Sequence, residues 1–128
     1  MSAELIRILV VDDEADFLAT YERLLRREGY EVLMASSCAR ALDLLAHASL
    51  SLVISDLRLP DGDGLEVVRA ARRSPRSPSV IVVTGHPSEE RRNAALSAGA
   101  TAFLAKPFAA AVLLATVRAR LAQPPAGR

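Results

Sequence analysis

The chain holds a single cysteine, Cys38, so no internal disulfide can form. A lone thiol fits a reducing compartment, and the cytoplasm is the expected location. Long apolar runs are missing too, and none approaches the roughly 18 residues of a membrane span. The opening stretch, MSAELIRILVVDDE, reaches its acidic cluster too early to read as a secretory signal. Charge imbalance is small: the net charge of +1 gives no electrostatic reason to expect nucleic acid or an anionic membrane as the partner. No internal repeat, low-complexity block, Gly-rich phosphate loop, Ser-His-Asp or Cys-His constellation occurs, which excludes the chemistry those patterns serve. Lysine is the scarcest cation. Lys106 is the only one, and the other fifteen basic residues are arginines.

What is present suits one globular domain. A length of 128 residues can bury a proper core, and 51% hydrophobic with 24% charged residues is the balance of a folded chain. Short apolar runs alternate with helical patterns. Ile6 to Val11 is solidly apolar and ends on Asp12 and Asp13. From Ala15 to Arg27, Phe17, Tyr21, Leu24 and Leu25 form one helical stripe, which Gly29 stops. Tyr30 to Ala35 reads as a second strand near a sheet edge. Ser36 or Ser37 caps a helix to about Ala48, with Ala41, Leu42, Leu44 and Leu45 inward. Leu50 to Ser55 is a third strand ending on Asp56, followed by a turn over residues 59–64 and a helix to about Arg73. Val80 to Val83 ends on Thr84. Ser88 caps a helix that closes near Gly99, Thr101 to Ala105 ends on Lys106, and a last helix runs to about Leu121.

Five strand-and-helix units in strict alternation predict a doubly wound α/β fold, a five-stranded parallel sheet with helices on both faces. Its strands should be continuously apolar, as these are. Ligands of such sheets bind beyond the carboxyl ends of the strands. Those ends deliver Asp12, Asp13, Asp56, Thr84 and Lys106 to one rim.

Three carboxylates together are unfavourable alone. Two unit charges ~5 Å apart cost about 3 kcal/mol at an effective dielectric near 20. The cluster therefore shifts its pKa values or binds a cation, and all-oxygen donors favour Mg²⁺ over zinc or copper. One carboxylate can remain free as a nucleophile, forming an aspartyl phosphate. Lys106 suits a phosphoryl oxygen as a compact point charge, and the Thr84 hydroxyl can donate to another.

Val10-Val11-Asp12-Asp13-Glu14, Ser55-Asp56-Leu57-Arg58-Leu59-Pro60, Val83-Thr84-Gly85 and Leu104-Ala105-Lys106-Pro107-Phe108 resemble the response-regulator receiver domains of two-component signalling (CheY-like). The likeness covers about residues 5 to 121. It implies the flavodoxin-like strand order 2-1-3-4-5. It also implies Asp56 as phosphoacceptor, and Mg²⁺ held by Asp12, Asp13, Asp56 and the backbone carbonyl of Arg58. Thr84 would be the switch hydroxyl and Phe103 the aromatic that turns with it. Lys106 would pair with the phosphoryl group beside a cis bond to Pro107. The donor would be a phosphohistidine on a histidine kinase or a histidine phosphotransfer protein, and the chain would be a switch rather than an enzyme with a separate substrate.

Further expectations follow. The same resemblance implies that Arg58 and His86, two residues beyond Asp56 and Thr84, would flank the route of an attacking water and alter the lifetime of the acyl phosphate. Phe108 to Val117 carries no charge, so the face made by the fourth helix, the fifth sheet strand and the last helix is a candidate homodimer or output surface. Cys38 reads as a small buried hydrophobe and His47 as a surface residue. Residues 61–64 fail as a calcium loop, because leucine falls where the first acid is required. Arg58 stands where a phosphatase of similar fold would place its second acid. The rival reading is a receiver-like interaction module that signals without phosphorylation, and the complete set of rim residues argues against it. Residues 1–122 form the expected receiver unit and 123–128 a tail or the start of a linker. The Asp56 to Gly62 segment looks like receivers attached to transcriptional regulators.

Overall fold

The computed structural model describes residues 5–122. Five parallel strands form one sheet: β1 (Arg7–Val11), β2 (Glu31–Ala35), β3 (Leu52–Asp56), β6 (Ser79–Thr84) and β7 (Ala102–Ala105), in the order β2-β1-β3-β6-β7. Counting sheet strands alone, this is 2-1-3-4-5. The central strands β3 and β6 are buried on both faces almost throughout, which is why their sequences run apolar without alternation. Strand β2 lies at one edge and leaves Met34 exposed.

Alternation within each strand sorts the core into two layers. Ile8, Val10, Leu52, Ile54, Ile81 and Val83 face helices α1 (Ala15–Arg27) and α5 (Ala110–Leu121), meeting Tyr21, Leu25, Leu113 and Val117. Leu9, Val11, Val53, Val80 and Val82 face α2 (Cys38–His47), α3 (Gly64–Arg73) and α4 (Glu89–Ala98). Each fully buried aliphatic side chain contributes roughly 1.5–3 kcal/mol.

Local chemistry sets the helix ends. Ser37 Oγ accepts the Arg40 N–H at 3.2 Å, Asp63 Oδ1 accepts the Leu65 N–H at 2.9 Å, and Ser88 Oγ accepts the Arg91 N–H at 3.0 Å. Gly29 and Gly99 follow α1 and α4 with φ of +90° and +119°, the left-handed conformation that glycine adopts without strain. Cys38 is buried and His47 exposed, as expected.

One element is new. Within and just before the turn expected over 59–64, β4 (Arg58–Leu59) and β5 (Gly62–Asp63) form a small antiparallel ribbon around Pro60 and Asp61. Burial of Leu57 and Leu59 against the α2–α3 layer pulls this segment down onto the core. No helix among the described residues is long and apolar enough to cross a membrane. The expected tail or linker, 123–128, lies outside the described residues.

Candidate functional site

Strand register levels the rim. Val11 pairs with Ala35 and Ser55, Asp56 with Val83, and Thr84 with Ala105. Asp12, Asp56, Thr84 and Lys106 therefore emerge side by side at the carboxyl ends of β1, β3, β6 and β7. Asp13, Asp56, Arg58, Thr84, His86 and Lys106 line a cleft of about 300 Å³, and Asp12 lies buried beside it. All five residues assigned to the rim are brought together.

Lys106 organises the acids. Its Nζ lies 2.7 Å from Asp12 Oδ2, 2.8 Å from Asp56 Oδ2 and 3.1 Å from Glu14 Oε1. The ammonium also sits 4.0 Å from the ring centroid of Phe17, which stacks into an aromatic group with Tyr21 and Phe108. Only 6% of the Lys106 side chain is exposed. Burial pulls its pKa down, but close contacts and negative charge from Asp12 and Asp56 outweigh this and leave it above the ordinary lysine value. Its backbone N–H donates to the Thr84 carbonyl at 2.8 Å, and the Lys106–Pro107 bond is cis.

The carboxylates are not fully answered by one ammonium. Burial pushes the Asp12 carboxyl above its ordinary value, more than the Lys106 contact draws it down. Asp12 Oδ1 accepts the Glu14 N–H at 2.9 Å, whereas Oδ2 is buried with an ion pair to Lys106 but no well-directed hydrogen bond. Asp56 Oδ1 accepts the Arg58 N–H at 3.1 Å. Asp12, Asp13, Glu14 and Asp56 each bring a carboxylate oxygen within 4.8 Å of the others. Four hard oxygen donors, a single lysine and a buried oxygen lacking a hydrogen bond suit a divalent cation such as Mg²⁺.

Thr84 is buried, and its Oγ1 accepts the His86 N–H at 3.1 Å, leaving the hydroxyl hydrogen available to the cleft. Phe103 does not line the cleft. It pairs with Val82 in register, two pairs before Thr84 and Ala105, and packs half-buried against the layer of α2, α3 and α4.

Gly64 fixes the other wall. A Cβ there would stand 2.0 Å from the Asp56 carbonyl oxygen, and the Gly64 N–H donates to the Leu57 carbonyl at 2.9 Å. Only glycine lets α3 start this close to the end of β3.

Three contributors were not legible as such. Glu14 carried no assigned role, Phe17 was read only as core, and Asp61 as turn. Asp61 in fact accepts the Cys38 and Ala39 N–H groups at 2.7 and 2.9 Å, tying the ribbon to the start of α2. A hint existed in the acidic residue following Asp12-Asp13; nothing local announced the other two.

Comparison with known proteins bears on this arrangement. The sequence profile of the "Response regulator receiver domain" family matches residues 8–118. "Response regulator MprA" of Mycobacterium sp. strain KMS is 41% identical over 116 residues, 91% of this chain and 50% of that protein. The chain spans about half the length of the curated relatives it matches. A receiver domain protein (CheY-like) from Methanospirillum hungatei JF-1 superposes with TM-score 0.88 at 34% identity, covering 92% and 94% of the two chains. The receiver domain of the sensor histidine kinase PA1611 from Pseudomonas aeruginosa PAO1, solved with a magnesium ion coordinated in its active site cleft, gives 0.84 at 26%, covering 94% and 100%. A Burkholderia pseudomallei response regulator solved with a phosphorylated aspartic acid, calcium ion and citrate gives 0.80 at 29%, covering 91% and 73%.

Proposed function

The chain belongs to the response regulator receiver domain family of two-component systems, and from that premise we propose that it accepts a phosphoryl group on Asp56 with the help of a bound Mg²⁺. The observation that carries the reading is the Lys106 ammonium held between Asp12 and Asp56 at 2.7 and 2.8 Å, at the mouth of a cleft that Asp13 and Thr84 also line.

Asp12, Asp13, Asp56 and the Arg58 backbone carbonyl would hold the metal. When bound, it neutralises the carboxylates and shares the charge of the incoming phosphoryl oxygens. The chain's own residues do the rest. An Asp56 carboxylate oxygen forms the new O–P bond while the P–N bond of a donor phosphohistidine breaks. The electron pair returns to the imidazole nitrogen, which takes up a proton. Lys106 is preplaced to follow the charge from carboxylate to phosphoryl oxygen, at little reorganisation cost. The Thr84 hydroxyl, already turned by the His86 N–H, donates to a second phosphoryl oxygen.

The same contacts make a switch. A phosphoryl group adds charge that Thr84 and Lys106 can grip in only one of two arrangements. Moving a 1:99 equilibrium to 99:1 takes about 5.5 kcal/mol, within reach of two charge-assisted hydrogen bonds and a metal. Phe103, two register pairs behind Thr84 and so on the same side of the sheet, is the side chain placed to follow that hydroxyl. The donor would be a histidine kinase or histidine phosphotransfer protein. The uncharged start of α5, with Val112 48% exposed, supports the α4-β7-α5 face as the dimer or output surface.

Mass spectrometry after incubation with a small acyl phosphate and Mg²⁺ tests the proposal. Wild type gains one phosphoryl group and Asp56→Asn gains none. An unmodified wild type would leave only a module that signals without phosphorylation.

A further inference from the structure

Charge is divided unevenly along this chain. Residues 1–66 carry thirteen acidic and six basic side chains, whereas residues 67–128 carry two acidic and ten basic. The near-zero net charge hides a basic half, and helix α3 presents its densest part. Arg69, Arg72 and Arg73 are exposed and share one helical face at i, i+3 and i+4. Like charges at that spacing destabilise a helix. Arg72 and Arg73 recover some of this from the carboxyl end of the α3 dipole, but Arg69 lies a turn too early. Arg7, Arg26, Arg40 and Arg118 all pair with carboxylates; these three do not, among the described residues.

The three guanidinium groups wall a groove of about 320 Å³ whose other side is the end of α4, with Leu96 and Gly99. Leu96 is 39% exposed, a large apolar side chain left open to water. Arg72 is held in place: a Cβ on Gly99 would fall 2.6 Å from Arg72 Cγ, so the arginine stem lies directly over the glycine backbone. The stem of Arg72 is thereby confined before any ligand arrives, which lowers the entropy lost on binding.

We propose that the groove between α3 and α4, walled by Arg69, Arg72 and Arg73 and floored by Leu96, docks an acidic segment of a protein partner. Guanidinium forks grip carboxylates in pairs, and Leu96 gives an apolar side chain of the same segment somewhere to sit. A nucleic acid backbone fits less well. Exposed Glu66 stands one turn before Arg69 and sets a negative charge at that end of the patch. A short segment stops before it, whereas a continuous phosphate chain running along α3 meets it. The surface lies at the opposite ends of these helices from the Asp56 cleft, so it does not rest on the phosphoryl reading.

The test uses the whole chain and a fluorescein-labelled peptide of Leu-Glu-Glu repeats, followed by anisotropy. A Leu-Lys-Lys peptide and a duplex DNA serve as competing probes. The acidic peptide binds, and R69E/R73E weakens it about tenfold. L96A weakens it about threefold, and R23E/R27E on α1, an equal loss of bulk charge, changes nothing. If R69E/R73E does not fold by circular dichroism, R69Q/R73Q gives the same readout. The proposal is overturned by a wild type that ignores the acidic peptide, by equal loss in R23E/R27E, or by tighter binding of the duplex. It is also overturned if sedimentation shows that the groove instead joins two copies of this chain.

Discussion

Asp61 accepts the backbone N–H of Cys38 at 2.7 Å, closing the start of helix α2 from a loop 23 residues further along the chain. Its second oxygen takes the Ala39 N–H, and Ser37 takes the next, so the open donors of that helix are answered by two separate segments. These hydrogen bonds favour the charged form and hold the Asp61 pKa below the ordinary 3.8. A depressed acid stabilises the fold above its unfolded value and loses that contribution as pH falls through its folded value. Asp61→Ala therefore lowers the denaturant midpoint at neutral pH, and the gap from wild type closes once the pH drops well below 3.8. A gap independent of pH would deny the carboxylate this role.

Gly64 sets a second relationship, with the end of β3. Gly64→Ala puts a methyl group against the Asp56 carbonyl, and α3 must move away. We expect a loss of roughly 1–3 kcal/mol in chemical denaturation, together with slower phosphorylation by a small acyl phosphate. Gly29→Ala is the comparison, since no atom lies within 4 Å of the added group and only its φ of +90° resists. That variant should lose stability and keep the wild-type phosphorylation rate.

How far the sequence could be read follows from the range of each interaction. Strands β3 and β6 were legible because both their faces are buried, so residues such as Val53 and Ile81 need no alternation to announce them. Helix ends were legible because Ser37, Ser88, Gly29 and Gly99 act on their own neighbours. Asp12, Asp13, Asp56, Thr84 and Lys106 were legible because each terminates a strand, and a parallel sheet brings such ends together. Glu14 and Phe17 join the site only because the Lys106 side chain crosses from β7 to α1, a contact between residues 92 apart for Glu14. The ribbon of β4 and β5 has two residues per strand, too few to show any period.

Divalent metal should stabilise this fold. A ligand that binds only the native state adds about 2.7 kcal/mol at a hundredfold excess over its Kd, roughly 10 °C in Tm for a domain of this size. Thermal unfolding with Mg²⁺, then with excess chelator, measures the gain and its reversal. Asp13→Asn loses most of the gain. Asp12→Asn loses it too, yet melts higher than wild type in chelator, because one of four clustered carboxylates has gone. A rise in Tm with Mg²⁺ that survives in both variants would place the metal elsewhere.

Arg58 and His86 flank the cleft mouth, and His86 is further tied down where its carbonyl accepts Arg91 Nη1 at 2.7 Å. On the proposed reading, bulk at these two positions would restrict the approach of water to a phosphoryl group on Asp56. Replacing either by Ala opens that route and shortens the acyl-phosphate lifetime about threefold, equivalent to about 0.6 kcal/mol of barrier. Following loss of phosphate after donor removal reads this directly. Identical lifetimes in R58A, H86A and wild type would show that solvent reaches the cleft regardless of either side chain.

Thr84→Val separates phosphorylation from switching. Valine matches threonine in size and suits a buried strand end, but it removes the acceptor of the His86 N–H, so we expect a loss of about 1 kcal/mol with the fold retained. Asp56, Lys106 and the metal ligands are untouched, and the variant still takes up phosphate, though more slowly for want of one donor. What it lacks is the hydroxyl that would tie β6 to a phosphoryl oxygen, and with it the proposed signal to Phe103 two register pairs away. Hydrogen exchange reads the difference: phosphorylation changes protection across β7 and α4 in wild type and leaves it nearly flat in Thr84→Val. Phe103→Leu, which removes the ring but keeps the hydroxyl, should retain a response in β6 while losing it in β7. Equal responses in all three proteins would mean that the phosphoryl group communicates through Lys106 alone.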